Sequence, residues 1–392
     1  MASTCLRPIV LISALLIAMS GCGSGPPPEF LYAVSVSTTP NTVVTQLSTF
    51  KVDSSTGALS PTSTIMLGSE AGIAADPAST FLYLSDPTLD GIDIFSIDPV
   101  TGALTGNGGL LLILINQPSS VPGALAFHPS GRFLYYGSFI SAGLIGALAV
   151  NSTTGALSVV AGSPFPADQV PSSVLVHPSG QFVYTEDVKA GSTPASGFTL
   201  VSISGFAVDS STGALAPLSG SPFLVPVNAD FAGFAMHPSG KFLYASTGIA
   251  ANGILAWSVD AATGSLAVLP GSPFEAGVAT FDPALDPEGK FLYVSAGATG
   301  GLLGSGGILG FKVDANSGAL TPLASSPFSS GTALLDLVVD PSGRFLFAGG
   351  WVNGTIAGFS LDATTGALTA LGPTSVGAEP VSLTIVKAPS YF

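Results

Sequence analysis

Two short motifs alternate along the chain, and each occurs seven times. The first is a Phe-Leu-Tyr-like triplet, and the second is Asp-x-x-Thr-Gly-Ala-Leu or a close variant. The triplets begin at Phe30, Phe81, Phe133, Phe182, Phe242, Phe291 and Phe345, and the motif glycines are Gly57, Gly102, Gly155, Gly213, Gly264, Gly318 and Gly366. A period of about 53 residues fits a four-stranded propeller blade with long loops. The repeats therefore predict an all-β protein, a seven-bladed β-propeller of antiparallel blades.

Each repeat contains four strand-like segments, which we call A to D in chain order. In the third repeat an apolar stretch, residues 124–127, runs into His128-Pro129-Ser130-Gly131 and then into the triplet at Phe133. This order of residues is typical of strand A, a type I turn and strand B. The Asp-x-x-Thr-Gly segment follows strand C, where its glycine supplies the positive φ that a tight hairpin to strand D needs.

Strand C has apolar residues in alternation, which predicts one buried face. The residue three positions before the motif Asp (Asn151 in the third repeat) is always large and apolar: Phe50, Phe95, Leu148, Phe206, Trp257, Phe311 and Phe359. We interpret these side chains as core between neighbouring blades. The four Ser-Pro-Phe segments, which begin at Ser163, Ser221, Ser272 and Ser326, are interpreted as linkers between blades with a buried Phe.

The two ends of the repeat region are complementary. The first repeat starts at strand B, with Phe30, and has no strand A before it. Residues 380–386 have the pattern of a strand but no strand B follows them. We predict that this C-terminal strand completes blade 1 and closes the ring, which removes exposed sheet edges.

The N-terminal residues have the pattern of an export signal. Arg7 precedes an apolar run over residues 9–19, which is too short to span a bilayer. The run ends in Met19-Ser20-Gly21-Cys22, which resembles a bacterial lipobox. We therefore predict a signal peptide at 1–21, a lipid on Cys22, a flexible tether at 22–29 and the propeller at 30–392, with the protein exported and anchored in the cell envelope. A plain secretory signal with an incidental cysteine is the alternative.

The repeat motifs resemble those of the lactonase-type seven-bladed propellers, also called YVTN-repeat propellers. This group includes 6-phosphogluconolactonases and carboxymuconate cyclases, and the resemblance covers nearly all of residues 30–390. It implies the propeller fold and, as an activity, lactone hydrolysis or a related isomerisation. Sugar lactonases of the group are expected to have a His-containing stretch before a strand A, but residues 121–123, 170–172 and 228–230 contain no histidine. No catalytic residue is transferred by the resemblance.

Charge is scarce and unevenly placed. Only 8% of residues are charged and the net charge is −14, which excludes nucleic acid as a partner. The A–B and C–D turns share one face of a propeller, here the turn face, and the more variable connections lie on the opposite loop face. Both arginines of the exported chain, Arg132 and Arg344, fall on the turn face, whereas acids dominate the loop face. An acidic entrance disfavours a phosphorylated substrate.

Six acids recur in the segments that lead into strand A, namely Glu70, Asp168, Asp230, Asp282, Asp336 and Glu379. Since strand A lines the channel of a propeller, our hypothesis is that these six acids form a loose ring around it. Such a ring would bind a hard cation such as Ca²⁺, or a cationic ligand, through oxygen atoms. The alternative is that they are scattered, solvated loop acids. Glu186 and Asp187 begin the longest variable segment, 186–202, which is a candidate lid over the channel and adds two ligand candidates.

The histidines are not expected to be catalytic. His128, His177 and His237 occupy the repeat position that Asp76 and Asp286 hold elsewhere, which is typical of a turn-capping site. A Ser-His-Asp triad or a zinc site is therefore disfavoured.

Three functions stay open at this level. The first is a monomeric, envelope-anchored protein that binds a small molecule or an envelope protein on its acidic loop face. The second is a lactone hydrolase or cycloisomerase in which spare carboxylates act as bases. The third is a structural or adhesive surface module.

Overall fold

The structure is a computed structural model that describes residues 27–39, 42–68, 72–86, 91–107, 111–112, 122–138, 143–189, 199–248, 253–296, 306–330, 334–350 and 353–389. The predicted signal peptide, Cys22 and most of the predicted tether lie outside these residues. The described residues form 31 strands, numbered β1 to β31 in chain order. None of the described segments is a helix that is long and apolar enough to cross a bilayer.

Each blade consists of four main strands, arranged from the channel outward. The innermost strands are β31 (Glu379–Lys387), β4 (Ile73–Ala75), β9 (Pro122–Phe127), β14 (Val170–Val176), β18 (Phe223–Met236), β22 (Thr280–Leu285) and β27 (Leu334–Val339). The second strands, which carry the triplets, are β1 (Glu29–Thr39), β5 (Phe81–Asp86), β10 (Phe133–Ser138), β15 (Phe182–Val188), β19 (Phe242–Thr247), β23 (Phe291–Ala296) and β28 (Phe345–Gly350).

The outer half of each blade is less regular. The third strands are β2 (Thr42–Val52), β6 (Gly91–Ile97), β11 (Leu144–Val150), β16 (Thr199–Val208), β20 (Ile254–Val259), β24 (Gly307–Val313) and β29 (Thr355–Leu361). The outermost strands are β3 (Leu59–Leu67), β7 (Leu104–Gly106), β12 (Leu157–Val159), β17 (Leu215–Pro217), β21 (Leu266–Val268), β25 (Leu320–Pro322) and β30 (Leu368–Ser375). Three short strands also pair with third strands, namely β8 (Leu111–Leu112), β13 (Phe165–Pro166) and β26 (Phe328–Ser329).

The seven blades close into a ring. Every innermost strand contacts the innermost strand of the next blade, from β31 through β4, β9, β14, β18, β22 and β27 and back to β31. In blade 1 the C-terminal β31 pairs antiparallel with β1, with Ile385 opposite Leu31. The predicted seven-bladed propeller and its closure by the C-terminal strand are therefore confirmed.

Strand β18 departs from the expected division into separate blades. Its first residues pair with β16 in blade 4, where Phe223 lies opposite Ile203. Its last residues form the innermost strand of blade 5, where Phe234 lies opposite Ala245. Blades 4 and 5 therefore share one continuous sheet. The sequence analysis treats this segment as a linker and then a strand, because motif spacing does not show that one strand can pair with two blades in turn.

The two repeated motifs bind each other across every blade boundary. The tyrosine hydroxyl of one triplet donates a hydrogen bond to the motif-glycine carbonyl of the next blade, in the pairs Tyr32–Gly102, Tyr83–Gly155, Tyr135–Gly213, Tyr184–Gly264, Tyr244–Gly318 and Tyr293–Gly366. The first Phe of each triplet packs against the same glycine. These glycines have φ between 70° and 77°, which confirms the positive φ expected for the hairpins. We call these Tyr–Gly and Phe–Gly contacts interblade locks, because they hold neighbouring blades together.

The expected core positions are buried. The large apolar residue of each third strand is at most 9% exposed in all seven blades.

The Ser-Pro-Phe segments are hydrogen-bonded to third strands. The Ser163 hydroxyl accepts a hydrogen bond from the Ala147 amide, and the serines of the other three segments repeat this contact. Of their phenylalanines only Phe328 is fully buried, and the other three are partly exposed.

The histidines cap turns, as expected, and they also connect blades. Nδ1 of His128 accepts a hydrogen bond from the Ser130 amide within its own turn. Its Nε2–H donates to the Gly180 carbonyl of the next blade at 2.9 Å, and His177 and His237 repeat this arrangement. Where the position is Asp340, the carboxylate accepts amides of its own turn and is also hydrogen-bonded to Glu29 of the next blade. All three histidines therefore have structural roles.

Candidate functional site

Two carboxylates lie side by side at one position of the innermost strands. In every blade the second residue of the triplet (a Leu, or Val183 in blade 4) pairs with one residue of the innermost strand. The residue three positions before that partner is structurally equivalent in all blades. From blade 1 to blade 7 it is Ser382, Gly72, Ala124, Ser173, Gly233, Asp282 and Asp336. Five blades have a small residue here. Blades 6 and 7, which are neighbours, have aspartates, and both are partly exposed. The acidic pair thus interrupts the repeat symmetry on the channel wall.

The two aspartates share a hydrogen-bond network. Their side chains are hydrogen-bonded to each other. The Leu337 amide donates to Asp282 at 2.9 Å, and the Leu383 amide donates to Asp336 at 2.5 Å. The Ser382 hydroxyl also donates to Asp336. Asp336 has more donors, so it is the ionised member of the pair, and Asp282 holds the shared proton.

The pKa values agree with this assignment. Burial raises the pKa of Asp282 well above its ordinary value, and the nearby charge and hydrogen bond of Asp336 raise it further. The pKa of Asp336 is also raised by burial, but the hydrogen bonds that it accepts oppose the rise. Two close carboxyls cannot both ionise readily, so the pair loses its protons in two steps and the second step is shifted to higher pH.

Glu186 is a third carboxyl that interrupts the repeat symmetry. It lies on β15, four residues after the triplet Phe, where the other blades have Val34, Ser85, Gly137, Ser246, Ser295 and Gly349. The residue is 0% exposed and neither carboxyl oxygen has a hydrogen-bond partner. Burial, and secondarily the charge of Asp187, raises its pKa well above the ordinary value. Buried carboxyls are normally paired, so this isolation points to function over packing.

Glu186 and the aspartate pair meet around β18. Glu186 is close enough to Asp282 to raise its pKa electrostatically. Between them β18 has a register shift from Phe231 to Phe234, and Gly233 has a φ of 121°. Asp282 Oδ1 lies 3.0 Å from the point that a Cβ of Gly233 would occupy. On blade 5 the Ser246 hydroxyl is also buried without a partner. We call Glu186, Ser246, Asp282 and Asp336 the inner acidic site.

Asp187 and Asp168 form a separate hydroxyl-rich network. Asp187 is 0% exposed and accepts hydrogen bonds from Thr185 at 2.7 Å and from Ser204 at 2.5 Å. The Ser202 hydroxyl donates to Asp168 at 2.8 Å. Burial raises the pKa of Asp187 to about 7, although its hydroxyl partners oppose the rise. These contacts join the segment before β14 to β15 and β16.

The remaining candidates contribute less to the site. Glu70 lies outside the described residues, and so does the side chain of Asp230, whose backbone pairs with Thr199 within β18. Glu379 is partly buried at the start of β31. Across the described ranges, no group of three or more His, Cys, Asp or Glu side chains is arranged to hold a metal ion.

The lid prediction is partly wrong. Glu186 and Asp187 belong to β15, so these acids are strand residues and not loop residues. The C-terminal part of the proposed lid, from Thr199 onward, belongs to β16. The triplet strand continues because its backbone pairs on both sides, with Ser173 and with Ile203 opposite Glu186. Residues 190–198 of the proposed lid lie outside the described residues.

Sequence analysis missed Ser246 and the pairing of the two aspartates. Asp282 and Asp336 each lie four residues before the first residue of an A–B turn, at Asp286 and Asp340. This shared offset is readable in the sequence. The lack of hydrogen-bond partners at Glu186 and Ser246 cannot be predicted from the sequence, because it depends on how β18 packs.

The turn face has grooves of a different character. A groove of 780 Å³ lies between Asp76 and Arg132 and is lined by turn residues of blades 2 and 3. Arg132 is held there by hydrogen bonds to the carbonyls of Ser210 and Ser211, at 3.3 and 3.2 Å. A second groove of 540 Å³ lies beside the start of the propeller at Pro27. Both grooves are lined by turn residues and by the strand ends beside them, and neither contains a residue of the inner acidic site.

Comparison with known proteins agrees with this fold. Residues 276–385 match the family model "Lactonase, 7-bladed beta-propeller". A candidate 6-phosphogluconolactonase of Bacteroides uniformis superposes with a TM-score of 0.73 at 19% identity, over 92% of this chain and 100% of that one. The periplasmic gluconolactonase of Pseudomonas aeruginosa gives 0.72 at 17% identity, over 92% and 100%. No curated protein matches.

These findings confirm the resemblance stated from the motifs. The chain has the fold of a seven-bladed β-propeller over nearly its whole length, and residues 276–385 are similar to the lactonase propeller family. At these identities the solved structures establish the fold alone.

Proposed function

We propose that this protein is a lactone hydrolase of the bacterial cell envelope that acts on a lactone without a phosphate group. The observation that carries the proposal is the hydrogen-bonded, partly exposed pair of Asp282 and Asp336 on the channel wall. Lactone hydrolysis needs a base that takes a proton from water and an acid that protonates the leaving oxygen. One ionised and one protonated carboxyl supply both.

The proposed reaction proceeds in two steps. Asp336 accepts a proton from a water molecule while the water oxygen forms a bond to the lactone carbonyl carbon. The ring C–O bond then breaks, and Asp282 donates its proton to the leaving alkoxide. The proton on Asp336 returns to Asp282 through their hydrogen bond, so one water is consumed and both carboxyls are restored.

Charge placement supports a substrate without phosphate. Lys189 is the one cation that the described residues place on the loop face, whereas Arg132 and Arg344 lie on the turn face. Phosphate recognition in proteins relies on fixed cationic donors. We therefore expect glucono-δ-lactone to be hydrolysed faster than its 6-phosphate.

A rate assay with one variant and one matched control tests this function. Asp336→Asn is expected to lower kcat/KM for glucono-δ-lactone by about 100-fold or more, the usual contribution of a general base. Asp98→Asn is the control, because Asn151 occupies the equivalent turn position in blade 3 and accepts the same amide bonds. Equal loss in both variants, or none in either, would contradict the role of Asp336.

Binding without turnover is the second candidate function. A lactone hydrolase stabilises the oxyanion of its intermediate with fixed donors, and the amides of Leu337 and Leu383 are already bonded to the aspartates. This observation favours a propeller that binds a small molecule or an envelope protein on its loop face. Saturable binding of the lactone by wild-type protein, with no hydrolysis above the spontaneous rate, would select this function.

The envelope location is proposed from Cys22 and from the point where the propeller begins. Glu29 starts β1 at the turn face, beside the end of β31, where the Ala388 amide bonds the Pro28 carbonyl. A chain from Cys22 to Glu29 spans at most about 25 Å. A lipid on Cys22 would hold the turn face toward the membrane and leave the loop face open. Membrane fractionation of wild type against Cys22→Ala tests the anchor, since a soluble wild-type protein would contradict it.

A further inference from the structure

Two polar side chains of the inner acidic site have unused hydrogen-bonding capacity. Both carboxyl oxygens of Glu186 and the hydroxyl oxygen of Ser246 are buried without a partner. They come from neighbouring blades and lie on either side of β18, whose backbone is bulged at Gly233. Leaving such groups buried and unpaired destabilises the folded state. A fold normally avoids this cost, so the site is arranged for a group that the chain itself does not supply.

The missing group must donate hydrogen bonds and tolerate negative charge. Glu186 interacts electrostatically with Asp187 and with Asp282, Asp282 is paired with Asp336, and Asp187 interacts with Asp168. A phosphate or carboxylate offers acceptors only and would be repelled. An ammonium group offers three donors, no acceptor and a positive charge. The chemistry therefore matches an amine.

A metal ion fits less well than an amine. Ca²⁺ takes six to eight oxygen ligands at short distances. Within the part of the chain that the structure describes, no three acidic side chains are grouped closely enough for such a shell. One ammonium group needs only a single close carboxylate and neighbouring oxygens. Asp282 lies against Gly233 of β18, and Ser246 lies on the strand opposite the same bulge of β18.

The charges elsewhere on the protein agree with an amine on the loop face. Seven exposed cations lie at the turn face, namely Lys51, Arg132, Lys241, Lys290, Lys312, Arg344 and Lys387. The loop face carries Lys189 as its one described cation. A cationic ligand would therefore be drawn to the loop face, and the attraction would weaken with salt.

We infer that the inner acidic site binds an organic ammonium group, so that the substrate of the proposed hydrolase is an amino-substituted lactone. The lactone part of this statement rests on the proposed function, and the ammonium part does not. The partly exposed Asp282 and Asp336 form the accessible side of the site. Glu186 is fully buried and close enough to Asp282 to influence it electrostatically, so it acts on the bound cation through an interior of low dielectric constant.

Proton release gives this site a distinctive signature. The pKa values of Glu186 and Asp282 are raised because both carboxyls are buried near other carboxyls. A nearby ammonium favours the ionised form of a carboxyl, so binding should expel about one proton. A neutral sugar would expel none.

Titration calorimetry on the full chain at pH 7 tests the inference. The probes are glucosamine, glucose and glucose 6-phosphate, each titrated in two buffers of different ionisation enthalpy. We expect glucosamine to bind at least about tenfold more tightly than glucose, with release of about one proton. Glucose 6-phosphate should bind most weakly. Equal binding of glucosamine and glucose, or tighter binding of the phosphate, would overturn the inference.

Two variants locate the site. Glu186→Gln should lose most of the preference for glucosamine and most of the proton release, whereas Asp98→Asn on the turn face should keep both. Should Glu186→Gln not fold, the proton release of wild-type protein and its decline with salt decide the question. A full preference in a folded Glu186→Gln variant would overturn the inference.

The outcome for the lactone is separable from the outcome for the amine. Hydrolysis of glucono-δ-lactone by wild-type protein without any preference for amines would reject the ammonium site and keep the proposed function. A clear amine preference with no hydrolysis of either glucono-δ-lactone or its 2-amino analogue would keep the ammonium site and reject the hydrolase.

Discussion

The phenyl ring of Phe345, in the last blade, lies against the α-carbon of Gly57, in the first. No Cβ fits at Gly57, because the ring occupies the space where it would stand. The same contact joins Phe30 to Gly102 and repeats around the ring. The boundary between blades 7 and 1 is therefore built like the others, although it joins the two ends of the repeat region. It differs in one respect: the third triplet residue is Phe347 and not tyrosine.

Phe347→Tyr is expected to stabilise the ring closure. In the other six blades this hydroxyl donates to a glycine carbonyl, for example Tyr293 to Gly366 at 2.8 Å. A new bond to the Gly57 carbonyl should add about 1 kcal/mol to the free energy of unfolding. Tyr135→Phe is the matched opposite, and it should lower that free energy by a similar amount. Chemical denaturation of both variants checks the pair, and a loss of stability in both would contradict the lock.

Gly264→Ala is expected to destabilise the protein more than Gly277→Ala. Both glycines have a φ near 70°, so each substitution meets similar backbone strain of about 1 kcal/mol. A Cβ at Gly264 would stand 2.6 Å from the Phe182 ring, whereas nothing lies within 4 Å of one at Gly277. The difference between their unfolding midpoints therefore isolates the packing lock. Equal effects would show that only backbone conformation matters.

Deletion of residues 379–392 should abolish the stable fold. The deletion removes β31, which supplies the innermost strand of blade 1 and contacts β27 and β4 on either side. The loss leaves an unpaired edge on β1 and an open ring. Circular dichroism during heating should show no cooperative transition, and a synthetic peptide of residues 379–389 should restore it. A truncated chain that melts like the wild type would contradict the closure.

Stability should fall as pH rises from about 5 to about 7. Glu29 is 4% exposed and hydrogen-bonded to Asp340, and burial followed by the charge of Asp340 raises its pKa to about 7. Because the folded form binds the proton more tightly than the unfolded chain, the stabilisation is present below the ordinary pKa and is lost through this window.

The variant Glu29→Gln isolates this effect, since Asp187 titrates in the same range. The difference in unfolding free energy between pH 5 and pH 8 should be smaller in the variant than in the wild type by about 1–2 kcal/mol, after allowance for solvent screening. Urea denaturation at the two pH values measures it. An unchanged difference would place the titration elsewhere.

The blades could be predicted because their signals are local. The turn at Gly131 is defined by residues 128–131, and the alternation that buries Trp257 is defined by the few residues of its own strand. The lock between Tyr83 and Gly155 could not be predicted as a contact, since its partners are 72 residues apart. Both partners are nevertheless repeated residues of the sequence, so the repeats predict the fold without this contact.

The site was predictable only in part. Asp282 and Asp336 were singled out by their place before strand A, but their pairing depends on which blades are adjacent around the ring. Glu186 was assigned to a loop, whereas the structure buries it in β15 without a partner. Its burial follows from the path of β15, which continues beyond the triplet and pairs with β14 and β16 on its two sides. Sequence spacing does not record such a path.

A structure of the protein with gluconolactam tests the central claim most directly. The lactam keeps the ring of glucono-δ-lactone but resists hydrolysis. We expect its ring on the channel wall, with the carbonyl group about 3 Å from a carboxyl oxygen of Asp282 or Asp336. Lactam bound instead in the turn-face groove between Asp76 and Arg132, with the inner acidic site unchanged, would contradict the account.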